Sequence, residues 1–296
     1  MTREVFEVAV EGGRLTGWVD GAGPNVLLLH GGPGLAADLL DELRDELLPD
    51  YRVALYQQRG LSPSTEQGPF TIDSAVADVE HVLDGLGWDR AYVVGHSWGG
   101  HLVLHLAVRL PRRLNGVLAV DPVGGVGDGG IAAFEGAMLA RMPEELRARA
   151  HELDQRALRG EGGDGDGAEA LALSWPSYFA DPASAHRAPP ARLSDAAYAG
   201  GYESMLKELP VLEQQLGTIT IPVGFLAGAG SPMPVDLASR RTAHAIPNAW
   251  IEVVPDAGHF PWLESPGVVR SALDRLVSGR DLWVARSESA AQSVQD

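Results

Sequence analysis

The segment Gly95-His96-Ser97-Trp98-Gly99-Gly100 sets a hydroxyl between glycines in a G-x-S-x-G pattern. A serine hydroxyl is a weak nucleophile at neutral pH. It attacks a carbonyl only where a base takes its proton and N–H donors meet the charge that develops on oxygen. In a chain with 36 glycines the pattern alone says little, and its context says more. The apolar run Ala91-Tyr92-Val93-Val94 precedes it and a helical stretch from Leu102 to Leu110 follows. That is the strand–turn–helix setting of a nucleophile elbow. Gly95 and Gly99 have no Cβ, so the turn can be sharp and the helix can pack close. The first N–H groups of that helix then face any negative charge formed at Ser97.

The remaining parts of such chemistry also follow apolar runs. His30-Gly31-Gly32-Pro33-Gly34 comes after Val26–Leu29, where an early loop can supply one oxyanion donor while the residue after the nucleophile supplies the other. The backbone N–H groups of Gly32 and Trp98 are therefore the expected oxyanion hole. Pro255-Asp256-Ala257-Gly258-His259-Phe260 comes after the run Trp250–Val254, and of nine histidines His259 has the late loop position that the order serine, acid, histidine requires.

These residues need elements to hold them. Val5–Val10, a turn at Gly12-Gly13 and Leu15–Val19 read as a hairpin. Continuous apolar strands are expected at 26–29, 53–56, 92–94 and 117–120, with helices over Ala36–Leu48, Thr71–Leu86 and the stretch after Ser97. Such alternation predicts a mostly parallel sheet with helices on both faces. It stops after Asp121. Gly124–Gly130 reads as a flexible connector, and helical patterns follow at 131–142, 143–159 and 193–216, interrupted by a Gly/Asp-rich run at 160–167 expected to be mobile. Strand Val223–Leu226, helix Val235–Ala245, strand Trp250–Val254 and helix Gly267–Val277 complete the pattern. The division predicted is a core over residues 1–122 and 217–285, a helical cap over 123–216 and a disordered tail over 286–296.

Composition bounds the function. A formal charge of −17 argues against nucleic acid as a partner. With no cysteine there are no disulfides and no thiolate metal sites, and the start Met-Thr-Arg-Glu-Val-Phe-Glu has no long apolar stretch, so a cytoplasmic location without membrane attachment is expected. His101 and His105 are four residues apart on one helix face but lack the glutamate of H-E-x-x-H, so neither metal nor cofactor is expected. Ser174–Phe179 is aromatic and Pro-broken, suited either to lining a cavity or to packing the insert on the core. The sequence leaves the oligomeric state open.

Together, His30–Gly34, Gln58-Arg59-Gly60, Gly95–Gly100 and Gly258-His259 resemble the α/β-hydrolase superfamily, and within it the proline iminopeptidase-like branch. The resemblance covers residues 4–280 and weakens through the insert. It implies an α/β-hydrolase fold with an inserted helical lid, and a serine hydrolase in which Ser97 attacks and His259 is the base. The substrate implied is a small molecule or short peptide with an amide or ester bond. A lactone or ester hydrolase of a biosynthetic pathway, and a weakly catalytic binding or lyase member, are the alternatives. Proline iminopeptidases hold a free amine with lid carboxylates, and this lid offers Glu135, Glu144, Glu145, Glu152, Glu203 and Glu208.

The family's usual acid follows the strand spelled here Val223–Leu226, but that position is Ser231. The family's Asp-Gln-Arg-Gly reads Gln57-Gln58-Arg59-Gly60. Asp121, at the end of Val117–Val120, is the preferred acid, since some members resemble it in carrying the carboxylate after that earlier strand. Asp236, at a helix start where it suits the helix end, is the second candidate, and a dyad or water-assisted arrangement is the third.

Overall fold

The computed structural model describes residues 4–163, 165–190 and 192–279. The expected tail at 286–296, and the end of the core beyond 279, lie outside the described residues. Among them, eight strands form one sheet in the order β1-β2-β4-β3-β5-β6-β7-β8. The hairpin β1 (Glu4–Val10) and β2 (Gly13–Gly21) is antiparallel, and β2 also pairs antiparallel with β4 (Arg52–Tyr56). From β4 onward the sheet is parallel, through β3 (Asn25–Leu29), β5 (Ala91–His96), β6 (Leu114–Val120), β7 (Val223–Gly228) and β8 (Ala249–Val254).

Alternation along β3 builds the two cores. Leu27 and Leu29 pack with α2 (Ile72–Gly85) and α3 (Trp98–Arg109), whereas Val26 and Leu28 pack with α1 (Asp41–Leu47) and α10 (Val268–Ser278) on the opposite face. Helix α2 starts where Thr71 caps it, with reciprocal Thr71–Ser74 hydrogen bonds, and buries Ile72, Val76, Val79 and Leu83. The helix expected from Ala36 begins instead as a tight 3-10 turn at Ala37–Leu40, and the Ala37 N–H, without a partner in the turn, donates to Gln57 Oε1 at 2.9 Å.

Between β6 and β7 the described chain is helical: α4 (Ile131–Arg141), α5 (Glu144–Leu158), α6 (Asp166–Ser174) and α7 (Asp195–Gln215). Helix α6 falls partly in the run expected to be a mobile loop. Its Ala-Glu-Ala-Leu-Ala-Leu stretch is a good helix former, and Leu171 buries against the core. After β7, residues 236–244 are helical, ending in α8 (Arg241–His244), and a short α9 (Pro261–Glu264) follows the His259 loop.

The connector Gly124–Gly130 is not loose. Gly124 N donates to Gly129 O at 2.9 Å, Gly125 N to Thr242 Oγ1 at 2.8 Å and Gly127 N to Glu213 Oε2 at 2.9 Å. A Cβ at Gly124 would lie 2.6 Å from Ala238 O, so glycine here serves close approach rather than freedom. His101 Nδ1 donates to Gly124 O at 3.1 Å, and the His105 and His101 Nε2 atoms meet at 3.2 Å. The composition suggested a hinge, but tertiary hydrogen bonds made it a fixed turn.

Hydrogen exchange checks this. The Gly124 and Gly125 amides should exchange on the timescale of Val93 in β5, while Gly160 to Gly163 exchange early. Equal, fast exchange in both glycine runs would contradict the fixed turn.

Candidate active site

Five of the six parallel strands, β3, β5, β6, β7 and β8, lie side by side, and the loop leaving each one contributes to a single site. The chain leaves β3 for β4 on one side and returns to β5 on the other. The crevice at the carboxyl ends of β3 and β5 is therefore the place where an open α/β sheet holds its ligands.

Ser97 occupies that place in a strained conformation, with φ 55° and ψ −114°. Such a backbone costs about 1–3 kcal/mol and persists only if held. Ser97 N donates to Val120 O at 3.0 Å and Ser97 O accepts from His101 N at 3.0 Å. A Cβ at Gly95 would fall 2.1 Å from Gly99 O, and one at Gly99 would fall 2.2 Å from Leu29 O. Those two glycines are thus required by the elbow itself. Trp98 opens α3, so its N–H has no partner within the helix.

The loop after β3 lies against the elbow. A Cβ at Gly31 would meet Ser97 Cβ at 3.3 Å, and Gly32 has φ 126° with no room for a side chain beside Gly34 N and Leu35 N. Gln58, in the altered family motif, ties this loop down: its Nε2 donates to His30 O at 3.0 Å and its Oε1 accepts from Trp98 Nε1 at 3.1 Å. Gln57 fills the place of the family's aspartate by bonding Ala37 N and Leu35 O, and Arg59 forms a buried two-pronged pair with Asp78 at 2.7 and 2.6 Å.

His259 and Asp121 come together. Asp121, 1% exposed and with φ 43°, ends β6 and accepts from His259 Nδ1 at 2.5 Å through Oδ2. To do so its carboxylate crosses the end of β7, where Gly228 N donates to Oδ1 at 3.1 Å. A Cβ at Gly228 would lie 2.1 Å from Gly258 O, so glycine lets the His259 loop close over β7. Ser231 Oγ donates to the same Oδ2 at 2.5 Å. Asp236 stands apart, its side chain 82% exposed and paired with Arg240 at 2.8 Å, and Asp256 is exposed.

Sequence reasoning missed several supports. His96 Nε2 donates to His259 O at 2.8 Å, with its ring 4.6 Å from the His259 ring. Burial holds His96 well below the usual histidine range and thus neutral. From the insert, Tyr178 O accepts from His259 N at 2.7 Å and the Tyr178 ring stacks on the imidazole at 5.2 Å. Trp175 and Phe179 pack on Phe260, so of this aromatic run it is Tyr178 that faces His259. Glu264 accepts from Ala180 N and Gly258 N, and Arg141 Nη1 donates to Gly230 O at 2.7 Å and Phe179 O at 3.1 Å, joining insert to loop. Of these supports, Gln57 to Arg59 lay in the altered motif and Tyr178 in the aromatic run the sequence marked, whereas Glu264 and Arg141 carried no sequence signal.

The buried histidines give a pH prediction. Burial pushes His30 and His101 down to about 4 and His105 to about 2, from 6.5. Below pH 6.5 the unfolded chain binds protons that the folded chain refuses, so stability should fall as pH drops from 6.5 toward 4. The urea midpoint across that range measures it. A flat midpoint would contradict neutral burial, and His105→Gln should flatten the slope.

Residues 24–266 match the family model described as alpha/beta hydrolase fold. The chain is 27% identical over 265 residues to the "Putative carbamate hydrolase RutD" of Caulobacter sp. (strain K31), covering 86% of this chain and 90% of that protein. It is 36% identical over 96 residues to the proline iminopeptidase of Thermoplasma volcanium, spanning 31% of this chain and 32% of that protein. Other curated relatives match over 28% and 45% of their length. Among solved structures, a hydrolase from Pseudomonas aeruginosa PA01 superposes with a TM-score of 0.72 at 22% identity, covering 93% of this chain and 98% of that one. With the sheet order and the loops above, these matches place the chain in the α/β-hydrolase family, as a hydrolase of that fold.

Proposed function

We propose that the chain hydrolyses a carbonyl bond of a small molecule or short peptide through an acyl-enzyme on Ser97, with His259 as base and Asp121 as its acid partner. The observation that carries this reading is the 2.5 Å contact from His259 Nδ1 to a buried carboxylate, in the loop array that also holds the strained Ser97. An acceptor at Nδ1 keeps the proton there, which leaves Nε2 with the lone pair a base needs. Ser97 Oγ gives its proton to His259 as it attacks. The N–H groups of Gly32 and Trp98 take the oxyanion charge. The imidazolium, stabilised by Asp121, then protonates the leaving group, and water repeats the sequence to release the acid. Residues 123–216 act as a cap, and Tyr178 and Phe134, 5.2 and 6.0 Å from the His259 ring, make its inner wall apolar.

An ester or lactone suits this wall better than a peptide N-terminus. Of the nine glutamates within residues 123–216, Glu135 accepts from Tyr202 at 3.0 Å, Glu152, Glu161, Glu169 and Glu208 pair with arginines, and Glu144, Glu145, Glu203 and Glu213 are exposed. None is buried against the base to meet an ammonium group. No described helix is long and apolar enough to cross a membrane.

Ser97→Ala should fold and lose all labelling by a fluorophosphonate. Asp121→Asn should lower turnover by about three to four orders of magnitude, while Asp236→Asn leaves it within about twofold. Kinetics on short-chain esters, lactones and aminoacyl anilides measure both the roles and the bond class. Near wild-type turnover in Ser97→Ala or Asp121→Asn would overturn the assignment, and preference for the anilides would reverse the choice of bond.

A further inference from the structure

We propose that Ser231 is a positioning residue for this reaction, holding Asp121 in line with His259 and tempering how strongly the carboxylate stabilises the imidazolium. The proposal rests on the reading of Asp121 as the acid partner. Ser231 Oγ is 2.5 Å from Asp121 Oδ2, the oxygen that also faces His259 Nδ1 at 2.5 Å. An ionised carboxylate has no proton to give, so the hydroxyl donates. The Ser231 oxygen in turn accepts from Met233 N at 3.0 Å, which fixes the hydroxyl's direction. Ser231 is buried, so its proton goes to Asp121 rather than to bulk water.

Two effects of opposite character follow. Without the hydroxyl, Asp121 keeps Gly228 N on Oδ1 but has His259 alone on Oδ2, so it is less well held and the rate falls. The same loss leaves more charge on Oδ2, which strengthens its bond to the imidazolium. His259 then holds its proton to higher pH, and the acid limb of the pH–rate profile moves up. Other groups around this pair come from other elements. They are neutral His96 from β5, the Tyr178 ring from the cap, Arg141 from α4, whose charge acts with that of Asp121, and Glu264 from α9. A change at Ser231 alters none of their hydrogen bonds described above, so a shift in the limb traces to the hydroxyl. A merely structural role would change stability and leave the limb in place.

The test uses the full chain, with the rate of Ser97 labelling by a fluorophosphonate and of p-nitrophenyl butyrate hydrolysis followed from pH 4.5 to 9. Ser231→Ala should lower the plateau rate about 3- to 10-fold and move the acid limb up by about half to one pH unit. Ser231→Thr, which keeps the hydroxyl, should restore the wild-type limb. Adding Ser231→Ala to Asp121→Asn should change neither plateau nor limb further. Should Ser231→Ala fail to fold, Ser231→Cys, a weaker donor of similar size, carries the same upward shift. An unmoved or lowered limb in folded Ser231→Ala or Ser231→Cys, or an equal shift in the Asp121→Asn background, would overturn the role of Ser231. Wild-type turnover in Asp121→Asn, or no labelling of the wild-type chain, would instead remove the reading beneath it.

Discussion

The site depends on one buried charge. Asp121 is taken almost wholly out of water, and a carboxylate so placed costs several kcal/mol unless donors replace its hydration. Three donors do so, and each comes from a different segment: Gly228 N from β7, the Ser231 hydroxyl from the loop after it, and His259 Nδ1 from the loop after β8. Satisfying that charge therefore fixes the relative placement of β6, β7 and the His259 loop. The same contacts set the tautomer of His259, so the requirement of folding and the requirement of the proposed chemistry coincide.

Close backbone approach is the second constraint. Gly95, Gly99, Gly228 and Gly258 each sit where a Cβ would fall within about 2.4 Å of a carbonyl oxygen, which brings strand ends, the turn at Ser97 and the helical insert into direct contact. The helical insert between β6 and β7 is tied to the sheet's loops by hydrogen bonds. Tyr178 O holds His259 N, and Glu264 and Arg141 join the insert's 177–180 turn to the loops after β7 and β8. Any displacement of that turn would reach His259 through these bonds.

Much of this was legible in the sequence because it depends on local pattern. Apolar runs of four or five residues followed by His-Gly-Gly, Gly-His-Ser, Asp-Pro or a loop bearing Gly-His mark the strands and the loops that carry the candidate residues. What was not legible depends on neighbours distant in the chain. That the Ser231 hydroxyl meets Asp121 follows from β6 lying beside β7, which no local signal encodes. Gly124–Gly130 has the composition of a hinge, yet Thr242 and Glu213 hold it. Helix α6 was hidden by the glycines before it, and Tyr178 by an aromatic run whose other members only pack.

The central claim is that Asp121 holds the proton on His259 Nδ1. Proton NMR of the chain carrying 15N-labelled histidine reads this directly, because a short N–H to carboxylate bond strongly deshields its proton. The account predicts a low-field resonance coupled to His259 Nδ1, present in wild type and in Asp236→Asn and lost in Asp121→Asn. Its absence from the folded wild-type chain, or its survival in Asp121→Asn, would contradict the account.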